Sequence, residues 1–171
     1  MSRQTWKTGF TLVELLIVVV ILGVLAAVAI PQFSSNTEDA KLSAIDTSLA
    51  EMRNAIELYY HQHSATYPGA KKHTDGTAVT TTAQADTAFV KQLTLYSAAT
   101  GVTAASKDAT YKYGPYLKRN MPPNPYNDNR TVVTDISTTD ITAATATGTT
   151  GWKFYTKTGR LIANDGNHTD R

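Results

Sequence analysis

One carboxylate inside a long apolar run constrains this chain more than any other feature. From Phe10 to Ile30 only Thr11 and Glu14 are polar, and Pro31 ends the run. About 20 helical residues at about 1.5 Å each cross the ~30 Å hydrocarbon core of a bilayer, so the run is long enough to span a membrane. Because a carboxylate near the bilayer centre costs roughly 2.5–3.5 kcal/mol, Glu14 needs a partner that neutralises it.

The residues ahead of the run carry the excess of basic charge. The chain has 16 Lys and Arg against 14 Asp and Glu, and Arg3 and Lys7 account for the difference. Basic residues before an apolar segment favour a cytoplasmic N-terminus. The balanced remainder gives no reason to expect a general affinity for nucleic acid. The chain has no cysteine, which excludes disulfides, thiolate metal sites and cysteine nucleophiles.

A short motif, Gly9-Phe10-Thr11-Leu12-Val13-Glu14, lies at the start of the run. It resembles the processing site of type IV prepilins and type II secretion pseudopilins, and the likeness is strong to about residue 60. The resemblance implies that a prepilin peptidase cleaves between Gly9 and Phe10, that Phe10 is then N-methylated, and that Glu14 acts in assembly. Cleavage would leave a cationic amine on Phe10 that can pair with Glu14 of a neighbouring subunit and offset its burial.

An ordinary signal peptide is the alternative interpretation of the same residues. Ala27-Val28-Ala29 satisfies the small-x-small cleavage rule, and cleavage there would release a protein that begins at Ile30. Three features favour the prepilin site instead. The apolar run is longer than the usual 7–15 residues, Glu14 interrupts it, and a helical pattern continues directly through the alternative cleavage point.

Beyond the proline the sequence is typical of a long amphipathic helix. Apolar residues recur at spacings of three and four and form one stripe, which consists of Leu42, Ile45, Leu49, Met52, Ile56 and Tyr59. We expect one helix from Phe10 to about His61–His63, before Pro68 and Gly69. At about 1.5 Å per residue it would be roughly 78 Å long, more than the remaining chain can cover, so its apolar half should protrude.

Gly23 and Pro31 are the positions at which this helix can bend or lose helical structure. Proline lacks the N–H of a helix interior, and glycine costs about 1 kcal/mol relative to alanine. We therefore expect a gentle kink near Pro31. The family resemblance further implies that residues 23–31 are helical in the membrane and partly extended in a filament.

The C-terminal half predicts short strands and one short helix. Asp86 is expected to cap a helix that carries Phe89, Leu93 and Tyr96. Residues 129–136 are expected to form a strand, and residues 152–156 and 160–164 a hairpin. The proline-rich segment 113–127 resembles the loop before the sheet in major pseudopilins and should pack over the long helix.

These elements predict an α+β fold of the pilin type, with a long N-terminal helix packed on a small antiparallel sheet. This predicted fold divides the chain into four segments. They are a leader (1–9), a transmembrane or filament-core half of the helix (10–33), an amphipathic half packed on the globular domain (34–63), and a variable region with the sheet (64–171).

The C-terminal tail offers oxygen ligands around a glycine. Major pseudopilins bind calcium in a C-terminal loop, so Asp165, Asn167 and Asp170 are calcium candidates, although their spacing does not match that motif. Otherwise no cofactor is expected. His61 and His63 point in different directions on a helix, so a solvated helix end is favoured over a zinc site. No phosphate loop, nucleophile elbow or zinc-protease pattern occurs, and we expect no enzyme.

Three functions remain open from the sequence. The first is a structural subunit of a type IV pilus-like filament, inserted once in the bacterial inner membrane and then exported into an extracellular fibre. The second is the major pseudopilin of a type II secretion system, which would form a periplasmic pseudopilus. For both, the resemblance implies as partners copies of the chain itself, a prepilin peptidase, membrane lipid, an inner-membrane assembly platform and an outer-membrane secretin. The third is a membrane-anchored binding module that does not polymerise.

Overall fold

The computed structural model describes residues 9–118 and 120–168, with only the backbone of residues 28–35. The chain divides by its internal contacts into two units, Met1–Ala40 and Lys41–Arg171. The predicted leader before Gly9, and the calcium candidate Asp170, lie outside the described residues.

The α+β class predicted from the sequence is confirmed. The described residues form two α-helices, one short 3-10 helix and five strands. In order these are α1 (Leu12–Gln62), α2 (Thr82–Thr94), β1 (Tyr96–Ser97), β2 (Thr103–Ala104), β3 (Val132–Asp135), the 3-10 helix (Ile141–Ala143), β4 (Trp152–Tyr155) and β5 (Leu161–Ala163).

Helix α1 ends where the sequence predicts. After Gln62, Ser64 and Ala65 adopt left-handed backbone angles with φ of 53° and 57°, which a continuing helix does not allow. The predicted apolar stripe packs into the second unit. Its members from residue 45 onward are at most 1% exposed, namely Ile45, Leu49, Met52, Ile56 and Tyr59. Leu42, at the end of the stripe, is half-buried.

The C-terminal hairpin is confirmed, and the sheet around it is mixed. Strands β4 and β5 are antiparallel, with Trp152 opposite Ala163 and Phe154 opposite Leu161. Strand β3, however, runs parallel to β4, with Val132 opposite Trp152, so the antiparallel expectation is wrong for this pair. A parallel pair requires a long crossover, and residues 136–151 provide it.

Helix α2 begins earlier than the sequence indicates. Its N-cap is Thr81, whose hydroxyl accepts a hydrogen bond from the amide of Gln84. Asp86 therefore lies within the helix, and its predicted capping role is wrong. Phe89 and Leu93 are buried as expected, whereas Tyr96 belongs to β1.

The proline-rich segment packs over the long helix, as predicted. The rings of Tyr116 and Tyr59 meet edge to face with centroids 5.5 Å apart. Leu117 and Met121 are each 3% exposed and belong to the same core cluster as α1. The indole nitrogen of Trp152 donates to the carbonyl of Pro122 at 2.8 Å and joins this segment to the sheet.

Candidate processing and assembly site

The predicted cleavage point lies ahead of the helix. Gly9, Phe10 and Thr11 have no regular secondary structure, and the Phe10 side chain is 85% exposed. A Cβ added to Gly9 would meet nothing within 4 Å. The described part of the chain therefore gives no packing reason for glycine at this position, and the bond between Gly9 and Phe10 is accessible.

Glu14 forms a capping box with Thr11 at the start of α1. The amide and the hydroxyl of Thr11 donate to Glu14 Oε2 at 2.8 and 2.7 Å, and the amide of Glu14 donates back to Thr11 Oγ1 at 3.3 Å. These reciprocal bonds satisfy amide groups that a helix start leaves unpaired. Thr11 is not among the residues predicted from the sequence, although the Thr-x-x-Glu spacing ahead of an apolar run is the signal that predicts such a box.

The first half of α1 presents its apolar side chains to solvent in the isolated chain. The large ones from Leu12 to Leu25 are between 51% and 83% exposed. The predicted span of residues 10–30 ends among residues 28–35, whose side chains lie outside the described part of the chain. Within the described residues, no helix combines the length and the apolar character that crossing a membrane requires.

The two positions predicted to be flexible lie inside this helix. A Cβ added to Gly23 would meet nothing within 4 Å. The backbone of Pro31 is helical, and its side chain lies outside the described residues. The kink at Pro31 and the extension of residues 23–31 in a filament stay predictions.

His63 is buried, whereas the sequence predicts that it lies at a solvated helix end. It is 2% exposed, and its ring stacks on Tyr59 with centroids 3.7 Å apart. Nδ1 lies 2.9 Å from the Tyr59 carbonyl and Nε2 lies 3.1 Å from Ser97 Oγ. Burial lowers the pKa of His63. The side chain thus joins the end of α1 to β1.

Asp165 is the calcium candidate that the structure describes most fully. Its Oδ1 accepts hydrogen bonds from the amides of Asn167 and His168 at 2.9 and 3.0 Å, and its Oδ2 lies 3.0 Å from His168 Nδ1. Burial opposes ionisation, but the hydrogen bonds outweigh it and lower the pKa of Asp165. Asn167 is exposed. Among the described residues, no group of three His, Cys, Asp or Glu side chains is placed to hold a metal ion.

Comparison with known proteins gives a match to a described family and similarities to individual proteins. Residues 7–30 match the family described as the prokaryotic N-terminal methylation motif. The chain is 30% identical over 122 residues to the type II secretion system core protein G of Aeromonas hydrophila, and this match covers 71% of this chain and 69% of that protein.

Two further relatives match over shorter ranges. The chain is 38% identical over 68 residues to the type II secretion system core protein G of Vibrio cholerae, covering 40% of this chain and 46% of that protein. It is 49% identical over 54 residues to the type IV major fimbrial protein FimA of Dichelobacter nodosus, covering 32% and 35%. In these two matches the chain spans less than half of the relative's length. No solved structure matches the chain.

Proposed function

Because the chain belongs to the family of type IV pilins and type II secretion pseudopilins, we propose that it is the structural subunit of a type IV pilus-like filament. The precursor is inserted once in the bacterial inner membrane, a prepilin peptidase removes the leader, and the subunits polymerise through the first half of α1. Its role is structural, without catalysis. The observation that most supports this proposal is the row of exposed apolar side chains from Leu12 to Leu25, which lipid and then other copies would cover.

The accessible bond after Gly9 supports processing at that point. Among the described residues nothing lies within 4 Å of a Cβ at Gly9 or at Gly23, so a Cβ at either position meets no steric conflict in the isolated chain. We therefore expect Gly9→Val to block cleavage through the peptidase alone, while the control Gly23→Ala is still cleaved. The measurement is the mass and N-terminal sequence of the chain produced together with a prepilin peptidase.

The expected mature N-terminus is N-methylated Phe10. A mature chain that begins at Ile30 would show that an ordinary signal peptidase acts instead, and it would overturn the proposal. Normal processing of the Gly9→Val variant would contradict the role of Gly9.

The surroundings of Glu14 support a role in assembly. Its carboxylate accepts two hydrogen bonds from Thr11, but its described partners include no cation that would neutralise its charge. The methylated amine of Phe10 on a neighbouring subunit would supply that charge. Two variants distinguish the effect of the capping hydrogen bonds from the effect of the negative charge. Glu14→Gln keeps an oxygen that can accept from Thr11 and loses the charge, whereas Glu14→Ala loses both.

If the charge pair drives assembly, both variants insert into the membrane and neither yields filaments at the wild-type level. The measurement is filament yield by electron microscopy, with membrane fractionation as the control for insertion. Wild-type filament yield from the Glu14→Gln variant would reject the charge pairing.

A periplasmic pseudopilus of a type II secretion system is the second candidate. The match to core protein G of Aeromonas hydrophila favours it, because 122 aligned residues extend well past helix α1. The FimA match covers only 54 residues. In either system we propose an inner-membrane assembly platform and an outer-membrane secretin as partners.

Deletion of the gene separates the two candidates. Loss of long surface fibres indicates a pilus, and loss of protein secretion without loss of fibres indicates a pseudopilus. A processed chain that stays monomeric in the membrane under conditions in which related subunits polymerise would instead support a membrane-anchored binding module.

A further inference from the structure

The C-terminal loop of residues 164–168 contains a nearly buried carboxylate. The side chain of Asp165 is 4% exposed. A charge at this depth is tolerated only when hydrogen bonds or an opposite charge compensate it. Two amides of its own loop donate to Oδ1, His168 Nδ1 lies 3.0 Å from Oδ2, and Asn124 Nδ2 lies 3.4 Å from the same oxygen.

His168 is held on the face of an aromatic ring. Its imidazole stacks on Tyr126, with ring centroids 3.9 Å apart and an angle of 23° between the planes. The ammonium of Lys41, on helix α1, lies 5.6 Å from the centroid of the same tyrosine. The imidazole therefore joins the C-terminal loop to the proline-rich segment, and this segment in turn contacts the helix.

Asn124 fixes the other side of the carboxylate. It is 0% exposed, its Nδ2 donates to the carbonyl of Gly151 at 2.9 Å, and its Oδ1 accepts from the amide of Tyr126 at 2.9 Å. These bonds set the position of the tyrosine on which His168 stacks. The loop, the segment at 124–126 and the start of β4 are thus joined around Asp165.

The described residues do not fit a calcium ion. Calcium takes six to eight oxygen ligands at about 2.3–2.6 Å. At Asp165 the nearest side chain contributes a nitrogen, two amides already occupy Oδ1, and Asn167 is exposed to solvent. A cation bound by both carboxylate oxygens would compete with the imidazole for Oδ2 and with the two amides for Oδ1.

We propose that the C-terminal loop of this chain is closed without a metal ion, and that the imidazole of His168 takes the place of a cation by joining the Asp165 carboxylate to the Tyr126 ring. His168 is a positioning residue here. The proposal concerns the stability of the second unit and does not depend on filament assembly.

Thermal unfolding of the full-length chain in detergent tests the role of metal directly. The wild-type midpoint is expected to be the same with millimolar EDTA and with millimolar calcium chloride. A midpoint that falls with EDTA or rises with calcium would overturn the proposal. Because this measurement is made on dispersed subunits, a failure to polymerise does not affect it.

Variants at His168 test whether its imidazole joins the Asp165 carboxylate to the Tyr126 ring. His168→Ala removes the donor and the ring, and His168→Phe keeps a ring over Tyr126 but has no donor for Asp165. Both are expected to lower the midpoint by a few degrees and to increase the exchange rate of the amide hydrogens of residues 167 and 168 at least about tenfold, because Asp165 loses the contact that holds it. The exposed His61 provides the matched control, and His61→Ala should change neither quantity.

Two results would overturn this role. In one, His168→Ala unfolds and exchanges like the wild type, so the contact contributes nothing. In the other, His168→Phe is indistinguishable from the wild type, so stacking alone closes the loop and the carboxylate contact is incidental.

Discussion

Replacement of Asp86 tests the packing of α2 against the sheet. Asp86 Oδ1 accepts hydrogen bonds from the amide and the hydroxyl of Thr134 on β3, at 2.6 and 2.7 Å. Thr134 is 2% exposed, so water cannot readily replace the acceptor that its amide would lose, whereas its hydroxyl also lies 3.4 Å from the Thr82 carbonyl. Hydrogen bonds to a charged group contribute about 1.5–3 kcal/mol each, and an unsatisfied buried donor costs about 1–3 kcal/mol. Since the two bonds share one oxygen and are not additive, we expect Asp86→Ala to lower the free energy of unfolding by about 2–4 kcal/mol.

Urea unfolding followed by tryptophan fluorescence measures this loss. A chain cleaved after Gly9, as proposed above, would lose Trp6 and retain Trp152. Trp152 is 0% exposed, so its emission would report the second unit alone. With a urea dependence of about 2 kcal/mol/M, the midpoint should fall by roughly 1–2 M. Asp86→Asn keeps an oxygen acceptor and should lose less.

Asp75 offers a matched control for the same chemistry. Its Oδ1 also accepts from an amide and a hydroxyl of one threonine, Thr77, at 2.9 and 2.6 Å, but in an exposed turn. Asp75→Ala should therefore shift the midpoint much less than Asp86→Ala. Equal shifts for the two variants would refute the argument that burial of Thr134 makes the Asp86 bonds important.

Three further predictions concern a close backbone contact and two titrating groups. A Cβ on Gly151 would overlap the Asn129 carbonyl oxygen, so Gly151→Ala should strongly lower the urea midpoint. An unchanged midpoint would show that the two segments separate at little cost. Burial lowers the pKa of His63 below its ordinary value of 6.5; the unfolded chain then binds the proton more readily, and stability is lost as pH falls below about 6.5. His63→Gln should flatten urea midpoints measured between about pH 7 and pH 5, and the same slope in this variant would assign the loss to another group. Burial opposes ionisation of Asp135, but hydrogen bonds from the turn that follows lower its pKa from 3.8 to about 2. Its contribution is therefore present above about pH 4 and lost as pH falls toward 2, and Asp135→Asn should reduce the acid slope of the midpoint in that window.

Local signals explain what the sequence predicts correctly. The stripe from Ile45 to Tyr59 repeats over several turns, so its burial follows from helical periodicity within one segment. The β4–β5 hairpin is bounded by a short turn with Gly159, whose φ of 72° suits glycine. The Thr11–Glu14 capping box was not predicted, although its signal is equally local, since three positions separate its partners. All of these depend on residues that lie within one or two elements of the chain.

Polar residues of the second unit illustrate why the rest could not be predicted in the same way. Asp86 bonds a residue 48 positions away, and His63 bonds Ser97 across 34 positions. Local propensity depends only on neighbouring residues in the sequence. On that basis an aspartate near a helix start is assigned to the N-cap, and a histidine near a helix end is assigned to the solvent-exposed surface. Whether either side chain is buried depends instead on which element packs over it. Strand β3 shows the same limit, because its pairing with β4 is set by the path of residues 136–151 and not by its own four residues. Mutation of the polar side chains that join distant segments, such as Asp86 and His63, is therefore the best test of whether these side chains are buried and bonded as the structure shows or exposed to solvent as local sequence patterns suggest.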